Sequence, residues 1–335
     1  IQKILRCQMP TLKRPAIAVS ETSVASPAKK PCPVSQPADE VEEKLKNTLA
    51  CLRSGLAESK NSYTSQVEAL NSAAAALMNS WDLWIAGQQF RIVEVEAYVH
   101  SCHHADPYAH GDEGQATCGN WYFHKKGGTY KSGSFKGMDL ACGDKESNVF
   151  AGLLLRAIID SSEKLIEGPC LVVDKILELN GKASIADFAS GRSAAELSAL
   201  STEGLFLAPA VESRSHAVRS AARVGLVLRE EDGGPKTPKT HMHGRPIEFC
   251  TRPYRFSTAA ARLTKYRSGF VASAHLAGTN DDKLGLSEQN FAKYVKSTED
   301  GKSSSDPSKW FNKKITTQPE LCELIGTCHG VLASL

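Results

Sequence analysis

No stretch of this chain approaches the roughly 20 apolar residues that a membrane-spanning helix requires, so its 335 residues are not expected to cross a bilayer in that way. Its ten cysteines are scattered and include no Cys-x-x-Cys pair. They read as reduced thiols of an intracellular protein, not as a disulfide framework. The opening Ile1-Gln-Lys-Ile-Leu-Arg-Cys-Gln8 is too short and too polar for a secretory signal, and Met9 offers an alternative start. Recognised metal-ligand spacing is missing too. Cys102-His103-His104, with His100 and His110 nearby, is followed by no second ligand pair, so neither metal nor cofactor is expected. Aromatic residues make up only 7% of the chain and hydrophobic residues 41%, ordinary values for a soluble globular protein.

Bulk positive charge is scarce as well. The net charge is +3, and Lys3, Arg6, Lys13, Arg14, Lys29 and Lys30 against Glu21 give residues 1–38 a net +5, which leaves −2 for the remainder. A globular part that is not basic makes no case for nucleic-acid binding from overall charge. Locally the balance differs. His124, Lys125, Lys126, Lys131 and Lys136 share a stretch of Gly, Ser, Thr, Tyr and Phe with no acid, and lysines on such a hairpin can displace the counterions of phosphates. Standing alone, the same hairpin reads as a solvated turn.

The segment that carries most information is Phe90-Arg-Ile-Val-Glu-Val-Glu-Ala-Tyr98. Taken as a strand, it alternates faces. Val93, Val95 and Ala97 fall on one side and suit a core, while Ile92, Glu94, Glu96 and Tyr98 fall on the other. Carboxylates within an apolar strand are costly unless solvated or paired. They mark either a concave site or the wet face of an antiparallel strand.

Other motifs favour the site. Ile92-Val-Glu-Val-Glu-Ala-Tyr98, Asp106-Pro-Tyr-Ala-His110, Gln115 with Thr117, Gly127-Gly-Thr-Tyr130, Lys136-Gly-Met138, Leu153-Leu-Leu-Arg-Ala157, Glu167-Gly-Pro169, Ala221-Ala-Arg-Val-Gly225 and Arg252-Pro-Tyr-Arg-Phe256 occur in one order. Together, over roughly residues 65–257, they resemble the alkyladenine (3-methyladenine) DNA glycosylase family. The resemblance implies a mixed α/β (α+β) fold, a single domain with a curved antiparallel sheet flanked by helices. It implies hydrolysis of the N-glycosidic bond of an alkylated or deaminated purine flipped from duplex DNA, in base excision repair. It assigns Glu96 as the base that activates water and Arg156 as the group that orients it. Tyr98 and His110 become walls of the base pocket, and His110 is also placed to donate to the leaving base. Glu94 is read as structural, paired with a surface cation. Where the family's hairpin carries pocket and wedge tyrosines, this chain has Gly133 and Lys136, with Phe135 beside the latter, and Gly143 replaces a base-selecting asparagine. Phe135 and Lys136 are therefore the expected substitutes at the substrate, and Lys125, Lys126, Lys131 and Lys136 the expected phosphate contacts.

Along the chain, residues 1–38 read as a disordered basic tail whose Lys13-Arg14 and Lys29-Lys30 suit a nuclear signal. Residues 39–260 form the glycosylase-like domain, and 261–335 an extension without an assigned role. Helices are expected from Val41 to Leu56, from Gln66 to Ser80, behind Gly168-Pro169 and over Ser287–Val295. Strands are expected at Leu205, Gly225–Arg229 and Pro246–Cys250, a long loop over Glu230–Gly244, and a polar linker over Ser297–Ser308. The expected partner is damaged double-stranded DNA, met by a monomer. Two alternatives stay open: an inactive glycosylase-fold module that binds nucleic acid, and a site for a small nucleoside-like ligand.

Overall fold

A computed structural model describes residues 37–57, 63–192, 197–201, 204–212, 214–229, 246–279, 283–304 and 306–334. The expected tail, apart from its last two residues, and the loop Glu230–Gly244 lie outside them. In chain order the elements are α1 (Ala38–Ala57), α2 (Tyr63–Ser80), β1 (Trp81–Ile85), β2 (Gln88–Ser101), β3 (His104–Ala105), β4 (Cys118–Phe123), β5 (Lys125–Lys126), β6 (Thr129–Tyr130), β7 (Met138–Cys142), β8 (Phe150–Asp160) and β9 (Leu165–Glu167). They continue with α3 (Pro169–Leu179), α4 (Ile185–Ala189), β10 (Leu205–Pro209), β11 (Arg219–Ala221), α5 (Pro246–Thr251), β12 (Arg255–Ser257), α6 (Ser268–Leu276), α7 (Glu288–Ser304) and α8 (Gln318–Ser334).

This is a mixed α/β single domain built on one large antiparallel sheet, flanked by helices and not closed into a barrel. Six strands run in the order β10-β1-β2-β8-β7-β4, with β3 and the β11–β12 pair joined to β2 and β9 joined to β8. One face is covered by α1 to α4. Helix α2 buries Leu70, Ala73, Ala74, Leu77 and Met78, the spacing that puts side chains on one helical stripe. Helix α3 starts where Gly168 takes φ +122° and Pro169 supplies a pre-set φ at the first helical position; it buries Val172, Val173, Ile176 and Leu177. No helix among the described residues is long and apolar enough to cross a membrane.

The opposite face carries a second apolar cluster, formed by Val93, Ala157 and Ile159 of the sheet with Phe270, Val271, Leu321, Ile325 and Trp310 from the last third of the chain. The extension is thus the second cover of the sheet. Helices α7 and α8 cross closely because Gly301 and Gly326 lack side chains: a Cβ on either would run into the backbone of Glu323 or Thr298.

Four expectations need correction. Residues Pro246–Thr251 form helix α5, not a strand. Gly225–Arg229 is not a strand; the pairing lies earlier, where β11 meets β12. The polar stretch from Ser297 to Ser304 continues α7, because Tyr294, Thr298 and Gly301 bury one face of it against α8. Finally, the simple alternation of β2 fails at a bulge between Ile92 and Val95. Val93 and Glu94 both turn to the second face, so Ile92 and Val95 share the first. Glu94, Glu96 and Tyr98 keep the common face the alternation gives them, but Ile92 and Val93 exchange sides.

Candidate functional site

The two glutamates sit under the second cover. Glu96 lies opposite Leu154 of β8 and Arg255 of β12 and is 0% exposed. Its Oε1 accepts the backbone N–H of Val224 at 2.8 Å, and its Oε2 accepts the Tyr98 hydroxyl at 2.9 Å and Arg156 Nη1 at 3.1 Å. A carboxylate offers about four lone-pair sites, so one remains. Burial of the acid is offset by the guanidinium and by these hydrogen bonds. Burial, reinforced by the charge of Glu96, pushes the Tyr98 phenol well above its ordinary value, which keeps it a donor.

Glu94 is not paired with a surface cation. Its Oε1 accepts Arg156 Nε at 3.2 Å and Arg255 Nε at 2.5 Å, and all three side chains are buried. Arg156 therefore bridges both carboxylates, while the remaining Arg255 nitrogens donate to the carbonyls of Tyr266 and Lys265. The second cover is the physical reason, since it encloses the face that Glu94 shares with Val93 and leaves buried arginines as its partners.

A third buried arginine, Arg223, grips both carboxylate oxygens of Asp106 at 2.6 and 3.0 Å and donates to the carbonyl of Ala97 at 3.0 Å. Its guanidinium lies 4.4 Å over the Tyr98 ring. One ring face of Tyr98 is thus covered by a cation, an attractive stacking contact. Asp106 begins the segment that leads to His110, so the pair fastens that segment to the strand.

His110 reaches solvent. Its Nε2 is 3.4 Å from Lys131 Nζ, and its ring meets that of His124 edge-on with centroids 4.8 Å apart. Neither a hydrogen bond nor a ring contact joins it to Glu96 or Tyr98 among the described residues. Partial burial, helped by His124 and Lys131, lowers its pKa to about 4, so it is neutral at pH 7. Desolvation likewise lowers that of Lys131.

The hairpin is formed by β5 and β6 around Gly127 and Gly128, whose φ values of +56° and +81° suit the turn. Lys125 Nζ packs 5.0 Å from the Tyr130 ring centroid, and Lys126 is exposed. Lys136 and Phe135 are not at the tip. Lys136 forms an ion pair with Asp174 of α3, and Phe135, 75% exposed, ends a single 3-10 turn over Gly133–Phe135. At Gly143 the backbone is too close to the carbonyls of Gln115 and Val149 for any side chain.

The structure thus brings Glu96, Tyr98 and Arg156 together and sets His110 with Lys131 in a second group. Sequence reasoning gave no role to Arg223, Arg255, Asp106 or Asp139. Two signals were present: a charged residue inside Ala221-Ala-Arg-Val-Gly225, and an acid directly after Lys136-Gly-Met138. Cavities of about 940 and 330 Å³ lie elsewhere, the larger among Arg219, Arg252, Phe270 and His329, the smaller around Arg91, Glu163 and Arg262.

Fold and residues together define a mixed α/β protein with a buried glutamate–arginine cluster on the second face of its sheet. No model of a known protein family matches the chain. It is 34% identical over 171 residues to uncharacterized protein L759 of Acanthamoeba polyphaga mimivirus, an alignment that covers 47% of this chain and 77% of the viral protein. The chain belongs to the family of that viral protein.

Proposed function

We propose that this protein is a DNA glycosylase of the alkyladenine type, which hydrolyses the bond between an altered purine and its sugar. The observation that carries the reading is Glu96, an acidic side chain sealed under the second cover, with an arginine, a phenol and a backbone amide fixing its two oxygens and one acceptor site left over. In the reaction, water attacks C1′ as the glycosidic bond breaks and its proton passes to Glu96, while the carboxylate offsets the charge of the oxocarbenium-like sugar. Tyr98 is the stacking surface for the base. Lys125, Lys126 and Lys131 meet phosphates, and damaged duplex DNA in the nucleus is the partner this reading implies.

Two observations favour a second reading, binding without hydrolysis, of nucleic acid or of a small nucleoside-like ligand. Glu96 is fully enclosed, and Lys136 is tied to Asp174 with Phe135 displaced from the hairpin tip. The test is base release from duplexes carrying hypoxanthine, ethenoadenine or an alkylated purine, wild type beside Glu96→Gln. Release by wild type, abolished in Glu96→Gln while binding persists, is the expected result. Salt-sensitive binding without release from any duplex would replace the enzyme with a binding module, and neither release nor binding would turn the search to small nucleosides.

A further inference from the structure

The larger cavity, about 940 Å³, shares none of its lining with Glu94, Glu96 or Arg156 and has no part in the hydrolytic reading. Its volume falls within the range of small-molecule sites, roughly 300–1,000 Å³. It lies where α5, β11, α6 and α8 meet. One wall is apolar, formed by Phe270, Leu276, Ile325 and Leu332. Ala274 and Ala277, one turn apart at the end of α6, keep that wall open by their small size. The other wall is polar and carries Arg219 and Arg252 against Glu248 alone, a net +1. A guanidinium stays charged at any physiological pH, and it has more N–H donors than a single partner takes up.

Contacts within the protein already fix these walls. Arg252 is paired with Glu248, donates to the Tyr254 hydroxyl at 3.0 Å and stacks 4.1 Å from the Phe249 ring centroid. The Phe270 ring packs 4.7 Å from the guanidinium of Arg255, and Ser273 Oγ accepts the N–H of Ala222 at 3.1 Å. His329 of α8 lines the same space, and its Nδ1 is buried without a hydrogen bond among the described residues. Buried polar atoms in proteins almost always have a partner, so this one points to a group that the chain itself does not supply. Burial lowers the pKa of His329 below its ordinary value, so the ring is neutral at pH 7 and adds nothing to the charge of the lining.

We propose that this cavity binds a small organic acid, its single carboxylate at the arginine wall and its apolar body along Phe270, Ile325 and Leu332. One excess positive charge matches one carboxylate, and arginine meets that group with paired hydrogen bonds. A cation finds no acid there that is not already matched by an arginine. Inorganic phosphate or a nucleic-acid backbone would leave the apolar wall unfilled, and an uncharged hydrocarbon would leave the arginine donors without a carboxylate. The proposal is independent of what Glu96 does.

The experiment is calorimetric titration of the full chain with decanoate and with decanol, which share an alkyl body and differ in charge. Wild type is set beside Arg219→Gln and Ala274→Phe, and thermal unfolding verifies that each variant is folded. Wild type should bind one decanoate per chain and hold decanol about 10-fold or more weaker, the usual margin of a charge-assisted hydrogen bond. Arg219→Gln should weaken decanoate by a similar factor and leave decanol nearly unchanged. Arg219 also lines the smaller cavity, whereas Ala274 lines only the larger. Ala274→Phe, which fills the space, should therefore abolish binding of both. Should that variant not fold, Ala277→Phe takes its place. No saturable decanoate binding by wild type overturns the proposal, as does decanol bound equally well. Decanoate bound undiminished by the filled variant overturns the placement in this cavity.

Discussion

On its way across the sheet, β2 turns Phe90, Ile92, Val95, Ala97 and Val99 into the core under α1–α4, and Val93, Glu94, Glu96 and Tyr98 toward the second cover. The first side is held by apolar contact alone, an interaction without direction that depends on area and fit. The second is held by geometry: Glu94, Glu96 and Asp106 each rely on arginines, and Arg156 and Arg223 on several partners apiece. A core of the first kind yields gradually when it is trimmed. One of the second kind fails when a single partner is removed, because the remaining charge stays buried and alone.

The sharpest way to break this contrast is at Arg223. Arg223→Ala should destabilise the protein by about 3–5 kcal/mol, as should Asp106→Ala, since each strands a buried ion. The double variant should lose less than the two losses added together, because the second removal relieves the unpaired charge left by the first. Across the sheet, Ile92→Ala and Leu155→Ala in the apolar core should each lose about 2–5 kcal/mol, and β2 and β8 strain their shared packing without that relief. Denaturant midpoints of the six proteins, wild type included, decide the matter. Additive losses at Asp106 and Arg223 would mean that the polar side is held no differently from the apolar one.

A middle-sized effect is expected from acid. His104 is buried between the rings of Phe249 and Tyr254, with Nδ1 2.9 Å from Gln66 Oε1. Burial, then Arg252, Arg223 and His100, lowers its pKa to about 3. An unfolded chain takes up the same proton near pH 6.5. Stability is therefore complete above about pH 6.5 and is lost progressively as pH falls toward 3, the unfolded state binding the proton first. His110 adds to the loss over the shorter interval down to about 4. The melting temperature should fall between pH 7 and pH 5, and fall less in His104→Leu. An equal fall in that variant would move the acid sensitivity to other groups.

The same contrast explains what could be read from the sequence. Periodicity located α2, the start of α3 and the segment that became β2, because apolar spacing records an apolar face directly. It placed Glu94 and Glu96 on one side, but gave Glu94 the wrong kind of partner. The cover over that face leaves no mark in the residue types of the strand, and the arginines that reach Glu94 come from 62 and 161 residues away. Arg223 and Asp139 were missed for a related reason: a charged side chain looks solvated until the partner that makes its burial tolerable is known. Helix α7 was broken too early because Ser297–Ser304 is polar on the side that faces water, and the two glycines that allow its packing are silent by composition.

The smallest effect lies at the rim, where Glu163 accepts Arg91 and Arg262, both at 2.6 Å. On distance alone these pairs match Asp106 with Arg223, yet the Glu163 side chain is 62% exposed. Water already solvates each partner and salt screens the attraction, so Glu163→Ala should change stability by less than about 1 kcal/mol. Whatever it does change should shrink as ionic strength rises, since exposed charges are screened over about 10 Å at 0.1 M salt. The comparison with Asp106→Ala isolates burial as the variable, because distance and charge type are matched. A loss at Glu163 as large as the loss at Asp106, or one indifferent to salt, would show that it is the hydrogen-bond geometry, and not enclosure, that makes the polar side of the sheet fragile.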